Sequence, residues 1–325
     1  MQLKNDSDSS RIEHRRWNVE ITMKDGSVLK SGTSVSSENP QRVVFNIQYA
    51  PNANVGWADI TLYGFSADTI HSQIEKGSYI SFSAGYEGSE SRIFAGEIFN
   101  VYHMRSGVEN FIKIYAQSLN HTSSVATISK TWGQGTPYRV ILAECMNAMQ
   151  ALGGFIPDDL SKWDSKMGSV GPSGYSYAGR AIDLARQITK QFGVNLYLYS
   201  GSKAETDGDS ASQFFITMPG VSPSIGYHLI SDITGMEGSP VFTSTGVTVS
   251  KRIDTAIYPQ DKIKVESGYF SMEGIYQYAV SSNDIMSSRS GDYCVETIVY
   301  RGDSDSISGQ AWTMTISARI PVDNG

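Results

Sequence analysis

The sequence predicts a mainly β protein with an α+β middle, in which two antiparallel β-barrel domains flank a helix-containing domain. Three observations predict it. Through both ends of the chain apolar and polar residues alternate with a period of two, the mark of strands with one buried face. Between about residues 136 and 192 that period gives way to helical spacing. The 31 glycines and 18 tyrosines among 325 residues supply turns and aromatic-bearing strands. The expected units are a flexible N-terminal arm over 1–16, a first barrel over 17–120, an α+β unit over 121–229 and a second barrel over 230–325.

The arm is rich in Asp, Ser and Arg and offers no apolar face to bury. Trp17, Val19, Ile21 and Met23 then alternate with polar residues, and Asp25-Gly26 suits the positive φ angles of a tight hairpin turn before a strand around Val28. Further strands are expected at Val43, Phe45 and Ile47, at Ala58, Ile60 and Leu62, at Ile80, Phe82 and Ala84, and over 94–101 and 111–116. A short helix over 66–76 interrupts them, with Ser66 as its cap, Ile70 and Ile74 on one face and Gly77 at its end. Together these strands form a closed or nearly closed antiparallel barrel.

In the middle, Thr136 and Pro137 read as N-cap and first residue of a helix that carries Ile141, Cys145, Ala148 and Leu152 on one stripe up to Gly153-Gly154. A second helix over 178–192 aligns Ile182, Ala185, Ile188 and Phe192, with Gly193 ending it. The stretch 168–174 reads as a loop. Strands over 194–199 and 214–218 flank a Gly-, Asp- and Ser-rich excursion. The β pattern returns from Ile230, through Val247 and Val249, Ile263 and Val265, 276–280, 294–300 and 312–320. Each β region ends in two long strands around a polar turn, 94–101 with 111–117 and 295–301 with 312–318, which points to an internal duplication.

A formal net charge of -7 repels a phosphate backbone and argues against tight nucleic-acid binding. Two cysteines, Cys145 and Cys294, make no disulfide framework, and no run of about 18 apolar residues suits a membrane span. Asn120-His121-Thr122 matches a glycosylation site by chance. His14, His71, His103, His121 and His228 are scattered without metal-ligand spacing. Gly133-Gln134-Gly135 lacks the third glycine of a dinucleotide loop, where Tyr138 stands. Asp158-Asp159, Asp303 and Asp305 read as surface-loop acids rather than a glycosidase pair, and Arg301-Gly302-Asp303 as turn chemistry. No residue is assigned a catalytic, cofactor-binding or metal-binding role, and the chain is read as a non-enzyme.

Ordered motifs carry a resemblance. In the first β region these are Ile60-Thr61-Leu62-Tyr63-Gly64-Phe65-Ser66, Ile74-Glu75-Lys76-Gly77, Ile80 to Gly88 with its Ala84-Gly85-Tyr86, and Ile93-Phe94-Ala95-Gly96-Glu97-Ile98. In the last they are 234–240, Thr245 to Val249, Tyr258-Pro259-Gln260-Asp261-Lys262-Ile263, Gly274-Ile275-Tyr276, Arg301-Gly302-Asp303 and Ala311-Trp312. Over about 17–320 the chain resembles the baseplate hub proteins of tailed bacteriophages, and is similar to phage late-control and type VI secretion spike-base proteins. Two positions depart from the family pattern, which has Pro-Gly at Pro259-Gln260 and commonly His at Arg301.

The resemblance implies a homotrimer whose six barrels form a pseudo-sixfold ring in the virion tail baseplate, assembled after synthesis in the bacterial host cytoplasm. Implied partners are the tail tube protein, a spike or tail-tip protein, and baseplate wedge or tape-measure proteins. DNA would be passing cargo only, with Glu75, Glu87, Glu90 and Glu97 as candidate lumen acids. The alternatives are a receptor- or carbohydrate-binding tail-tip protein, with Trp163 and Tyr175 as contacts, and a tail-associated polysaccharide or peptidoglycan hydrolase.

Overall fold

A computed structural model describes residues 14–33, 41–51, 56–64, 74–118, 125–150, 155–157, 160, 166–200, 212–222, 226–269, 271–272, 291–308 and 311–321. The expected helix over 66–76, the Gly153-Gly154 stop, the excursion after Ser200 and the strand over 276–280 lie wholly or largely outside them.

The first region holds β1 (Arg15–Thr22), β2 (Val28–Gly32), β3 (Val43–Tyr49), β4 (Trp57–Tyr63), β5 (Tyr79–Tyr86), β6 (Ser91–Ser106) and β7 (Glu109–Gln117). Strict alternation of buried and half-buried residues in β1 and β3 matches the sequence pattern. The β1–β2 hairpin turns at Gly26, whose φ is 84°, while the Asp25 carboxylate accepts bonds from the Ser27 N–H at 2.8 Å and the Ser27 hydroxyl at 2.6 Å. The first strand starts two residues before Trp17, and its Arg15 is buried.

The middle region holds β8 (Thr127–Trp132), α1 (Tyr138–Gln150), β9 (Phe155–Pro157), β10 (Tyr175–Arg180), α2 (Ala181–Gln191), β11 (Asn195–Tyr199) and β12 (Ser212–Thr217). Helix α1 buries Ile141, Leu142, Cys145, Met146 and Met149 against Ile182, Leu184, Ala185 and Ile188 of α2 in a separate small core. Gly193, φ 63°, follows α2 as expected. Thr136 does not cap α1: its hydroxyl donates back to Gly133 O at 2.9 Å, and Pro137 bridges Ser169. The antiparallel pair β8–β10 was not foreseen, because β8 exposes Thr127, Ser129, Lys130 and Thr131 and so lacks apolar alternation.

The last region holds β13 (His228–Ser231), β14 (Met236–Phe242), β15 (Gly246–Arg252), β16 (Lys262–Glu266), β17 (Ser271–Met272), β18 (Asp292–Asp303) and β19 (Trp312–Arg319). The protein is mainly β, as expected, but its strands are not two closed barrels. Strands of both β regions form one 14-stranded, largely antiparallel sheet in the order β17-β14-β15-β19-β18-β3-β4-β7-β6-β5-β1-β2, with β13 and β16 attached beside β18. No pairing closes a ring among the described residues. The difference arises at β18, whose far half pairs β3 instead of staying within its own region.

That sheet is rolled. Phe45 on β3 and Phe82 on β5 lie four strand spacings apart along the sheet, roughly 19 Å if it were flat, yet their rings are 4.9 Å apart. The Trp312 indole donates to Gly85 O at 2.9 Å across six spacings. One buried cluster therefore runs through both β regions, from Trp17 to Trp312.

Candidate assembly interface

The sheet contains the same five-strand unit twice. In the first, β3-β4-β7-β6-β5 pair antiparallel in that order; in the second, β14-β15-β19-β18-β16 do the same. A bulge interrupts β6 against β7 between Ile98 and Asn100, and β18 against β19 between Val295 and Thr297. The turn leading into each unit's edge strand is bonded alike. The Gly77 N–H reaches Ile98 O at 2.7 Å and the Gln260 N–H reaches Val295 O at 2.8 Å. In return the Ile98 N–H donates to Ser78 O at 2.8 Å and the Val295 N–H to Asp261 O at 2.9 Å. Ile114-Tyr115-Ala116 and Ile316-Ser317-Ala318 occupy matching places.

The two units meet where Ile298 to Asp303 of β18 pair with Val44 to Tyr49 of β3. Gly302 is needed there, because a Cβ at that position would come within 2.2 Å of the Phe45 ring and 2.8 Å of Trp312. Phe45 and Trp312 pack edge to face at 5.0 Å. Polar ties surround this wedge. Arg42 grips Asp303 through two bonds of 3.0 and 2.8 Å, and its guanidinium lies 4.8 Å from the Tyr63 ring centre. Burial pushes the Asp303 carboxyl up, but the bonds from Arg42 and from the Asp305 N–H outweigh it and hold the group below its usual range. Arg15 donates to Asp303 O, Ser306 O and Ser308 O at 2.9, 2.7 and 3.1 Å, so a residue of the expected arm fastens the β18–β19 turn.

Tyr199 and Ser200 tie the middle unit to the large core, beside a bond from the Ser118 hydroxyl to Leu198 O at 3.5 Å. Tyr199 stacks 4.6 Å from Tyr49 and 5.6 Å from Tyr258 inside the large core. The buried Ser200 hydroxyl bonds the Tyr49 hydroxyl at 3.0 Å and accepts the Ala95 N–H at 3.1 Å.

Among the described residues, those singled out in the sequence lie in separate parts of the fold. Arg301-Gly302-Asp303 lies in strand β18, not in a turn. Tyr175 is half-buried, 6.0 Å from Trp132 and 5.9 Å from Tyr138; Trp163 and Asp158-Asp159 lie outside the described residues. Cys145 and Cys294 are buried, and burial pushes each thiol up to about 12. His14 meets Glu87 at 3.0 Å and His228 meets Asp261 at 3.4 Å, while His71 and His121 fall outside the described residues. Among the described residues no group of three His, Cys, Asp or Glu is placed to hold a metal ion, and no helix is long and apolar enough to cross a membrane. The proposed lumen acids form no single row: Glu75 precedes β5 beside Lys24, Glu87 and Glu90 stand in the β5–β6 turn, and Glu97 is in β6. The roles of Arg15, Arg42 and Ser200 escape sequence reading, because each acts on residues more than 100 positions away.

The face of the sheet turned away from the core carries paired polar residues beside the half-buried aromatics Trp57, Tyr63, Phe111 and Tyr115. Thr248 meets Ser317 at 3.2 Å and Ser250 meets Thr315 at 3.4 Å; Lys113 pairs Asp59 at 3.1 Å and Arg319 pairs Glu296 at 3.4 Å.

No family description and no curated protein matches the sequence. Solved structures do match the fold. A tail protein from Neisseria meningitidis MC58 aligns with TM-score 0.52 and 8% identity over 93% of this chain and 96% of its own. The 43 kDa tail protein of prophage MuSo2 from Shewanella oneidensis aligns with TM-score 0.56 and 10% identity over 94% and 98%. An Escherichia coli type VI secretion system component, itself described as structurally similar to the phage T4 tail proteins gp27 and gp5, aligns with TM-score 0.54 and 11% identity over 88% and 75%. The chain thus has the fold of phage tail and type VI secretion spike-associated proteins.

Proposed function

We propose that this chain is a structural hub of a phage-type tail baseplate, without catalytic activity, that assembles as a trimer around a passage for DNA. The observation that carries the reading is the pair of matching five-strand units joined side by side through β18 and β3. Three such chains present six units, so one ring suits a sixfold tail tube on one side and a threefold spike or tip on the other. Each unit, rolled around its share of the core, then acts as one tube-like barrel wall. The likeness of fold to tail proteins supports the tail location and the tube and spike as partners.

In this reading the passage is lined by the hydroxyl-bearing face of β4, β7, β15 and β19 rather than by the four acids expected from sequence. Its cations are already matched by Asp59 and Glu296, so a polyanion finds little to grip. Mass measurement in solution and imaging of assembled tails test the ring: a trimer is expected, and a strict monomer at every concentration with no ring in the tail overturns it. A zymogram on host cell wall is expected to stay opaque; clearing overturns the non-enzymatic role.

A further inference from the structure

The two units are joined inside the chain where β18 meets β3, and the matching place on the first unit carries no second strand among the described residues. Superposing the bulges sets Ile98 on Val295 and Asn100 on Thr297, so that Met104 corresponds to Arg301 and Ser106 to Asp303. Beyond the bulge, β18 carries β3 along its outer edge. Beyond its own bulge, β6 pairs only with β7 among the described strands. That stretch exposes Tyr102 and Met104, each 49%, and Phe99, 41%. A strand edge with apolar side chains beside it is a template for another strand.

The same matching identifies the occupant. Strand β3 corresponds to β14: Asn46 faces Asp59 as Val241 faces Thr248, and Ile47 faces Ala58 as Phe242 faces Val247. We infer that the β6 edge of one copy takes the β14 strand of a second copy, antiparallel and with Met104 opposite Val241, repeating the β18–β3 junction between chains. The inference rests on the ring reading and adds its strand register. Each copy offers one β6 edge and one β14 edge, so the contact is head to tail, and with the rotation of the proposed ring three copies close on themselves. The incoming strand displaces β17, which among the described residues pairs β14 at Val241 and Phe242.

The test joins the two strands covalently in the full chain. Antiparallel neighbours stand about 4.5–5.5 Å apart at Cα, within the span of a disulfide. The native thiols are buried and stay protonated, so background is low. On oxidation with copper phenanthroline, the Met104→Cys/Val241→Cys variant is expected to run as covalent oligomers on a non-reducing gel. A control, Met104→Cys/Lys30→Cys, aimed at the β2 edge instead, is expected to stay monomeric. Bonding in the control but not in the test pair, with the oligomer intact by mass, overturns this register and leaves the ring standing. A monomeric mass with no bond in either variant overturns both. Independently, Tyr102→Lys places a charge on the edge and is expected to raise the dissociation concentration of the oligomer about tenfold with unchanged circular dichroism; unchanged assembly overturns the inference.

Discussion

The two five-strand units share a pairing order, a bulge and a bonded turn, yet they differ at their ends. The first opens with β1 laid antiparallel on β5, and the far half of its β6 pairs with β7 alone among the described strands. The second opens with β13 laid parallel on β16 and gives the far half of β18 to β3. At the shared turn the first unit has Gly77, φ 91°, and the second has Gln260, φ 77°. The frame common to both holds a core, while the differences decide what each unit joins. Five substitutions test this contrast.

The largest effect is expected at the seam. Phe45 touches Phe82 of its own unit and Trp312 of the other, so Phe45→Ala should cost about 3–5 kcal/mol. Because both units share one buried cluster, urea unfolding should stay a single transition at a lower midpoint. Two separated transitions would show that the units fold independently.

Arg15→Met keeps the apolar stem but leaves three carbonyls of the β18–β19 turn without their donor. A loss of about 2 kcal/mol is expected, with faster amide exchange confined to the turn after Asp303. A loss spread evenly through the sheet would contradict a local fastening.

The turn comparison predicts opposite signs at equivalent sites. Gln260 is the one non-glycine with positive φ among the described residues, so Gln260→Gly should stabilise by up to about 1 kcal/mol as left-handed strain is relieved. Gly77→Ala should cost about 1 kcal/mol or more, since its Cβ also meets Lys24 Cε at 2.7 Å. Thermal melts of the pair decide it; equal signs would break the equivalence.

The smallest effect belongs to His228, present only in the second unit. Its bond with Asp261 raises its affinity for a proton above the usual 6.5, against the opposing effect of burial. A raised folded value adds stability below pH 6.5 and loses it as pH climbs through that value. Comparing native chain and His228→Gln, the difference in melting temperature should be larger at pH 5.5 than at pH 8.5. The site is partly exposed, so the gain is under about 1 kcal/mol.

Much of the architecture was legible in local pattern. Alternation located the strands at Trp17, Val43, Ala58, Ile80, 94–101 and 111–116, and helical spacing located α1 and α2. The likeness of 94–117 to 295–318 proved to be matching strands with matching bulges. Strands β8 and β10 escaped because β8 exposes Thr127, Ser129, Lys130 and Thr131 and β10 exposes Ser176, Ala178 and Arg180, which leaves no run of apolar alternation. The assembly site was legible only in part. Pro259-Gln260 stood out in sequence as a departure at a turn, and the turn does hold Gln260 in a glycine-like conformation. Arg15 was read with a charged arm, although in the fold it is buried against backbone carbonyls.

By itself the sequence determined the mainly β class, the helical middle, the repeat and the scarcity of spaced metal ligands, because each follows from residue type and short-range periodicity. Tertiary structure alone decided that β18 leaves its own region to pair with β3, that the sheet rolls until Phe45 meets Phe82 and Trp312, and that Ser200 bonds Tyr49. The physical reason is range. Alternation fixes which face of a strand is buried, whereas the partner along its edge is chosen by backbone bonds and side-chain fit between residues hundreds of positions apart.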